Sequence, residues 1–287
     1  MSVFSEKDFD AKNYSSNRPS YPDDFYRVLD EYHEGPRNRL IDVGCGPGVA
    51  TFQLADKLRP FTQIVGTDIS NTMVEKARSH KEKNPVKYEA VTFEVSSADD
   101  FSFLKGPGIK CDMVTAVQCV HWLDFEIFQE SVAAVLREGG TFVIWGYADP
   151  IFPEYPKLDS LLNDFTYGPD DLGPYWESGR QYLRNLLRDL HLKDDLFTDF
   201  KEACFDIDYI RSNQTDPLLI KRTITLAQFQ DYLKTWSAFH SWRKKHPRER
   251  DITEGFVNRV LQLYPHLTNQ SKLQVVWKSF YKMCKKL

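Results

Sequence analysis

No apolar run in the 287 residues approaches the roughly 20 needed to span a bilayer. The segment MSVFSEKDFD lacks both the basic and the apolar regions of a signal peptide. A cytoplasmic protein with no membrane partner is the expectation. Cysteine is sparse: Cys45, Cys111, Cys119, Cys204 and Cys284 are odd in number and scattered, without a CxxC pair or a histidine cluster at metal spacing. This predicts free thiols in a reducing compartment and no metal. Positive charge is not in excess either: 37 Lys and Arg against 41 Asp and Glu leave a formal charge of −4, which argues against nucleic acid or anionic lipid as partner. Internal repeats and low-complexity tracts are missing. What remains is a chain of 41 % hydrophobic content, enough for one large α/β domain with an elaborated cap.

Between about Leu40 and Tyr147, short apolar runs recur: RLIDVG, QIVGTDI, VTFEV, CDMVTAVQC and TFVIWGY. Each meets a turn signal, and four are followed by segments of helical period. Five strands separated in this way imply a parallel sheet with right-handed crossovers, whose ligand lies beyond the carboxyl ends of the strands. Residues 147–176 change character, with five prolines and several tyrosines, and read as an ordered aromatic loop or cap. Thr225 with Gln228 fits a capping box that opens an amphipathic helix through Phe239, and KLQVVWKSFYKMCKK reads as a closing strand.

The first strand runs into LIDVGCGPGVATFQLA. Gly44, Gly46 and Gly48 give G-x-G-x-G, one residue short of the dinucleotide fingerprint. The glycines alone leave a nucleotide, NAD and a methyl donor open. Two carboxylates narrow the choice. Asp42 at the end of the first strand would repel a pyrophosphate but attract an ammonium group. Asp68, ending the second strand, is placed to accept both hydroxyls of an adenosine ribose. S-adenosyl-L-methionine has the ammonium and the adenosine but no phosphate, so it is the expected cofactor. After the third strand, Asp99 or Asp100 could accept from the adenine amino group, with Ala98 leaving room for the ring. After the fourth, the Gln118 carbonyl could meet the methionyl ammonium.

In these residues the chain resembles the class I S-adenosylmethionine-dependent methyltransferases, over about Asn38 to Tyr147. The resemblance implies a Rossmann-like seven-stranded sheet whose last strand is antiparallel, within a single domain: 1–37 an N-terminal lid, 38–147 the cofactor core, 148–287 an inserted cap, helices and closing strands. It implies Asp42, Gly44, Cys45, Gly46 and Gly48 around the methionine, Asp68 on the ribose, Ile69 against adenine, and Ala98 and Asp99 at the base edge.

Outside the core, YSSNRPSYP, HWLDFEIFQ, WGYADPIFPEYP, GLGPYW, LKTWSAFH and VVWKSFYK are similar to segments of the fungal, yeast-type trans-aconitate methyltransferases. That resemblance implies methylation of a carboxylate of a small organic acid, trans-aconitate first among them, to a monomethyl ester of the 3-methyl type; another acid, or a hydroxyl or carbon acceptor, is the alternative. A carboxylate is already ionised at neutral pH, so no catalytic acid, base or nucleophile is expected. Tyr14, Trp122, Tyr147, Tyr175, Trp176 and Trp236 are candidates for an aromatic roof. His121 is a candidate acceptor contact, and Arg18, Arg180, Lys221 and Arg222 are candidate cations for the acid. The sequence names no protein partner.

Overall fold

A computed structural model describes residues 18–104, 109–212 and 216–287. Tyr14 lies outside the described residues. Five strands, β1 (Arg39–Val43), β2 (Gln63–Asp68), β3 (Val91–Val95), β4 (Cys111–Val117) and β5 (Leu136–Ile151), pair in parallel in the spatial order β3-β2-β1-β4-β5. The long strand β8 (Lys272–Lys286) adds antiparallel to β5. The expected strand runs all form, and the expected closing strand spans KLQVVWKSFYKMCKK.

The sheet has eight strands rather than seven. The 15 residues of β8 are long enough to carry two short partners end to end along one edge. β6 (Phe197–Phe205) pairs with Ser279–Lys286, and β7 (Ile220–Thr225) pairs with Lys272–Trp277. The edge position expected to hold one strand therefore holds two.

Alternation along the strands divides the core between two faces. Leu40, Met113, Val143 and Trp145 point to one side, and Ile41, Val43, Val114, Phe142 and Ile144 to the other. Helix α1 (Asp23–Tyr32) buries Phe25, Tyr26 and Leu29 on the first face. Helices α2 (Val49–Lys57) and α3 (Asn71–Glu82) follow β1 and β2, and α4 (Phe125–Val135) follows β4. Their starts are set by local chemistry: Gly48 takes a left-handed φ of 85° before α2, while Ser70 and Asp124 accept backbone N–H groups as N-caps of α3 and α4.

The proline-rich segment is more regular than its composition predicts. β5 runs on through Pro150, where its register against β8 shifts after Tyr147, and helix α5 (Pro156–Tyr167) begins on a proline at its first position. A bulge tolerates a residue without an N–H, and a first-turn proline loses no hydrogen bond. The capping box at Thr225 forms and opens α8 (Leu226–Leu233), after the short helices α6 (Arg180–Arg184) and α7 (Ile207–Arg211). The predicted single helix instead breaks, because Trp236 takes an extended conformation (ψ 141°) and caps a second helix, α9 (Ser237–Lys245), ahead of α10 (Ile252–Leu263). No helix among the described residues is long and apolar enough to cross a membrane, and they hold no cluster of three metal-ligating side chains.

Candidate functional site

A cavity of about 410 Å³ lies beyond the carboxyl ends of β1, β2, β3 and β4 and reaches under the segments that follow β5. Its first half is built around the glycine loop. Gly44, Gly46 and Gly48 all have positive φ, which favours residues without a Cβ. At Gly44 a Cβ would come within 2.6 Å of the Cys119 Cβ, so the two strand ends could not approach as they do. At Gly46 a Cβ would meet nothing within 4 Å, because that side of the backbone opens on the cavity.

Asp68 fastens the loop. One carboxylate oxygen accepts from Gly46 N at 2.8 Å and the other from Ser70 N at 2.8 Å, while the group remains on the cavity wall. Burial raises its pKa, and the two backbone hydrogen bonds oppose that rise. Ile69, 66 % exposed, and Ala98 and Asp99 line the same end. Cys45 and Gln118 also lie on the wall. An open backbone edge, a carboxylate with spare lone pairs and apolar flanks fit an adenosyl group carrying an amino acid.

Three of the predicted cofactor residues are placed otherwise. Asp42 is fully buried and does not reach the cavity. The pleat of β1 puts it on the face of Leu40, beneath α2, where Thr51 Oγ1 donates to one oxygen at 2.6 Å and Thr115 Oγ1 to the other at 2.8 Å. Burial pushes its pKa up to about 6 against those hydrogen bonds. Any influence on an ammonium group acts through the field rather than by contact. Gly48 faces Phe52 and Phe93 rather than the cavity, and its part is to start α2. Asp100 is exposed and turns away to accept from Ser102 N at 2.8 Å, a bond that holds its carboxyl below the usual range.

The second half is made of side chains from distant segments. Arg18, His121, Trp122, Tyr147, Trp176, Arg180 and Trp236 all line it. The rings of Trp176 and Trp236 lie 5.4 Å apart, and the Arg180 guanidinium stacks 4.2 Å from the Trp176 ring. Arg180 is paired through Nη2 with Asp149, and its Nε donates to the Tyr167 hydroxyl at 3.3 Å. Burial opposes its charge, but Asp149 and Tyr167 outweigh that and raise its pKa. Arg18 donates to the Tyr147 hydroxyl at 3.3 Å and to the Thr235 carbonyl at 3.0 Å. His121 feels the field of both cations: burial first, then Arg180 and Arg18, push its pKa down to about 3. It is a neutral imidazole at pH 7.

Tyr175 lies outside the cavity, its hydroxyl 2.8 Å from His246 Nε2. Tyr175 ends a short 3-10 turn and Trp176, the residue that caps it, is the one that reaches the wall. Lys221 and Arg222 are exposed on β7 away from the cavity, although Arg222 Nη1 reaches the Arg18 carbonyl at 3.4 Å. Reading the sequence passed over Ser70, Met73, Cys119, Leu183 and Ser237, which also line the wall. Only Ser70 carried a usable signal, as the capping residue immediately after the β2 turn.

Residues 35–168 match the family model described as a methyltransferase domain. Along its length the chain is similar to CRG1 of Saccharomyces cerevisiae, described as a probable S-adenosylmethionine-dependent methyltransferase, with 28 % identity over 98 % of this chain and 97 % of the yeast protein. A structure from Anaeromyxobacter dehalogenans assigned as a type II methyltransferase superposes with a TM-score of 0.68 at 24 % identity, over 93 % of this chain and 97 % of that one. The phospholethanolamine N-methyltransferase 2 of Haemonchus contortus, in complex with phosphomonomethylethanolamine and S-adenosylhomocysteine, gives 0.53 at 16 % identity, over 98 % of this chain and 59 % of that one. The chain thus has the Rossmann-like methyltransferase fold, residues 35–168 match a methyltransferase domain, and S-adenosyl-L-methionine is the cofactor.

Proposed function

We propose that the protein methylates a carboxylate of a small organic acid, with trans-aconitate as the leading acceptor and its monomethyl ester, of the 3-methyl type, as product. The observation that carries this reading is the pairing of Arg18 and Arg180 around a histidine held neutral, on the same cavity as the glycine loop. Two cations at an aromatic wall suit an anionic acceptor. A hydroxyl or carbon acceptor needs a base, and His121, its basicity lowered by burial and by the two arginines, is a weak one. The resemblance of the segments outside the core to the fungal trans-aconitate enzymes supports the choice of acid.

When bound, S-adenosylmethionine supplies a methyl group on a sulfonium. Gly44, Cys45, Gly46 and the Gln118 carbonyl would hold its methionine part, Asp68 the ribose, Ile69 and Ala98 the adenine ring, and Asp99 the adenine amino group. The protein's own contribution is placement. Arg18 and Arg180 fix the acceptor's charge, so the reacting oxygen is presented in one direction. Trp122, Tyr147, Trp176 and Trp236 exclude water from a step in which opposite charges cancel, and a dry wall favours that cancellation. The proposed bounds are 1–37 as lid, 38–147 as cofactor core and 148–287 as cap, helices and closing strands, with the acceptor half drawing Arg18, His121, Trp122 and Tyr147 from the first two as well as Trp176, Arg180 and Trp236 from the third. A cytoplasmic setting, without nucleic-acid or membrane partners, belongs to the same proposal and rests on the charge of −4 and the composition.

The test is incubation with methyl-labelled donor and a panel of di- and tricarboxylic acids, followed by mild base and collection of volatile methanol. Base-labile label on trans-aconitate is the expected result. Label that survives base refutes an ester product, and label on another acid moves the assignment to that acid.

A further inference from the structure

Gln118 has a left-handed backbone (φ 58°), a region that L residues other than asparagine and aspartate seldom occupy. Such an outlier persists where its surroundings hold it, and it is a reason to ask what is being held. β4 and β5 pair in parallel up to Val117 and Trp145, and Gln118 N still donates to the Trp145 carbonyl at 3.0 Å. Beyond this point the backbone of β4 turns away. The Gln118 side chain then takes over the ladder: its Oε1 accepts from Tyr147 N at 2.8 Å, and its Nε2 donates to the Tyr147 carbonyl at 2.8 Å. Gly146 leaves the room required, since a Cβ there would collide with Gln118 Oε1.

The residue gripped in this way is the one that meets the acceptor half. The Tyr147 hydroxyl accepts from Arg18 Nη1 at 3.3 Å, and Gln118, Tyr147 and Arg18 all line the cavity. We infer that Gln118 is a positioning residue for the acceptor: its carboxamide clamps the backbone of Tyr147 and thereby sets the place of Arg18. The role proposed for the Gln118 carbonyl on the methionine leaves its side chain to serve the other half. This rests on the reading of the arginine-lined region as the acceptor site.

The experiment compares Gln118→Glu and Gln118→Ala in the full chain. Ionised, the glutamate loses the donor to the Tyr147 carbonyl, so the KM for trans-aconitate should rise at least tenfold at pH 7.5, while S-adenosylhomocysteine affinity by calorimetry changes less than threefold. A protonated glutamic acid restores one donor and one acceptor in the shape of the carboxamide. The ratio of variant to wild-type KM should therefore fall toward one in Gln118→Glu as the pH is lowered from 7.5 to about 4, through the ordinary glutamate value of about 4.3, and stay level in Gln118→Ala. A level ratio in both variants overturns the inference, as does a cofactor affinity that falls in step with KM. Hydrogen exchange separates this from the proposed function: the Tyr147 amide should exchange at least tenfold faster in Gln118→Ala while the Trp145 amide is unchanged. Unchanged Tyr147 exchange refutes the clamp itself. A wild-type enzyme that methylates no acid in the panel, with Tyr147 exchange altered as expected, refutes the acceptor reading instead.

Discussion

The two halves of the cavity are built on different principles. The cofactor half consists of strand ends and a turn in which main-chain conformation does most of the positioning, with Asp68 tying Gly46 and Ser70 in place. The acceptor half consists of large side chains drawn from positions 18, 121–122, 147, 176–180 and 236, with the Arg180 charge counterbalanced by Asp149. A half made of backbone should be sensitive to a single methyl group. One made of side chains should tolerate changes in shape but not in charge balance.

The charge balance gives the largest expected effect. Arg180→Met leaves Asp149 buried with its main partner gone, which should cost about 3–5 kcal/mol of stability in urea unfolding and raise the acceptor KM. Adding Asp149→Asn should recover most of the stability and none of the acceptor binding. Recovery of both would mean that Arg180 is structural only, and the distinction between the halves would fail at its buried arginine.

A smaller effect is expected at Gly44. Left-handed strain of about 1–2 kcal/mol and overpacking of about 1–3 kcal/mol against Cys119 should make Gly44→Ala lose most S-adenosylhomocysteine binding in calorimetry. Gly46→Ala, with open space at its Cβ, should lose much less stability. Equal losses in the two variants would show that conformation, not close approach, governs the loop.

Asp42 offers a comparison in pH. Its carboxyl ionises at about 6 in the folded chain against an ordinary value of 3.8, so the fold favours the protonated form. Its contribution is full below about pH 4 and is lost as the pH rises through 6, by about 3 kcal/mol. Urea midpoints measured from pH 4 to 7 should show this decline in the wild type and a flatter curve in Asp42→Asn. The same variant should keep S-adenosylhomocysteine affinity within about tenfold, because the carboxylate is not on the wall; a larger loss would return Asp42 to the binding surface. The smallest effect belongs to Tyr175→Phe, which removes a hydrogen bond to His246 worth about 1 kcal/mol and should leave the acceptor KM within twofold, whereas Trp176→Leu should raise it.

The same contrast governs how much could be read from the chain. β1 to β5 announce themselves by alternation and turn residues, and whatever a strand end must do is written within a few positions of it, as at Asp68 and Ala98. Asp42 was misplaced because parity along a pleat decides which face a residue takes, and its partners Thr51 and Thr115 come from different elements. Nothing local separates Tyr175 from Trp176, or Arg180 from Lys221 and Arg222. Those distinctions arise from where α6, β7 and the turn before α9 come together. Pro156 looked like a breaker and turned out to start a helix, since the same ring that stops a helix inside is harmless at its first residue.

β5 links the two halves. Its sixteen residues run from beside β4, past Trp145 and Tyr147, to Ile151 under the cap, bonded to β8 for most of that length. That strand, roughly 50 Å long, offers one residue to the cavity, Tyr147, and the Gln118 carboxamide fastens that residue to the end of β4. The wall that meets the acceptor is thus tied to the strand end that meets the donor.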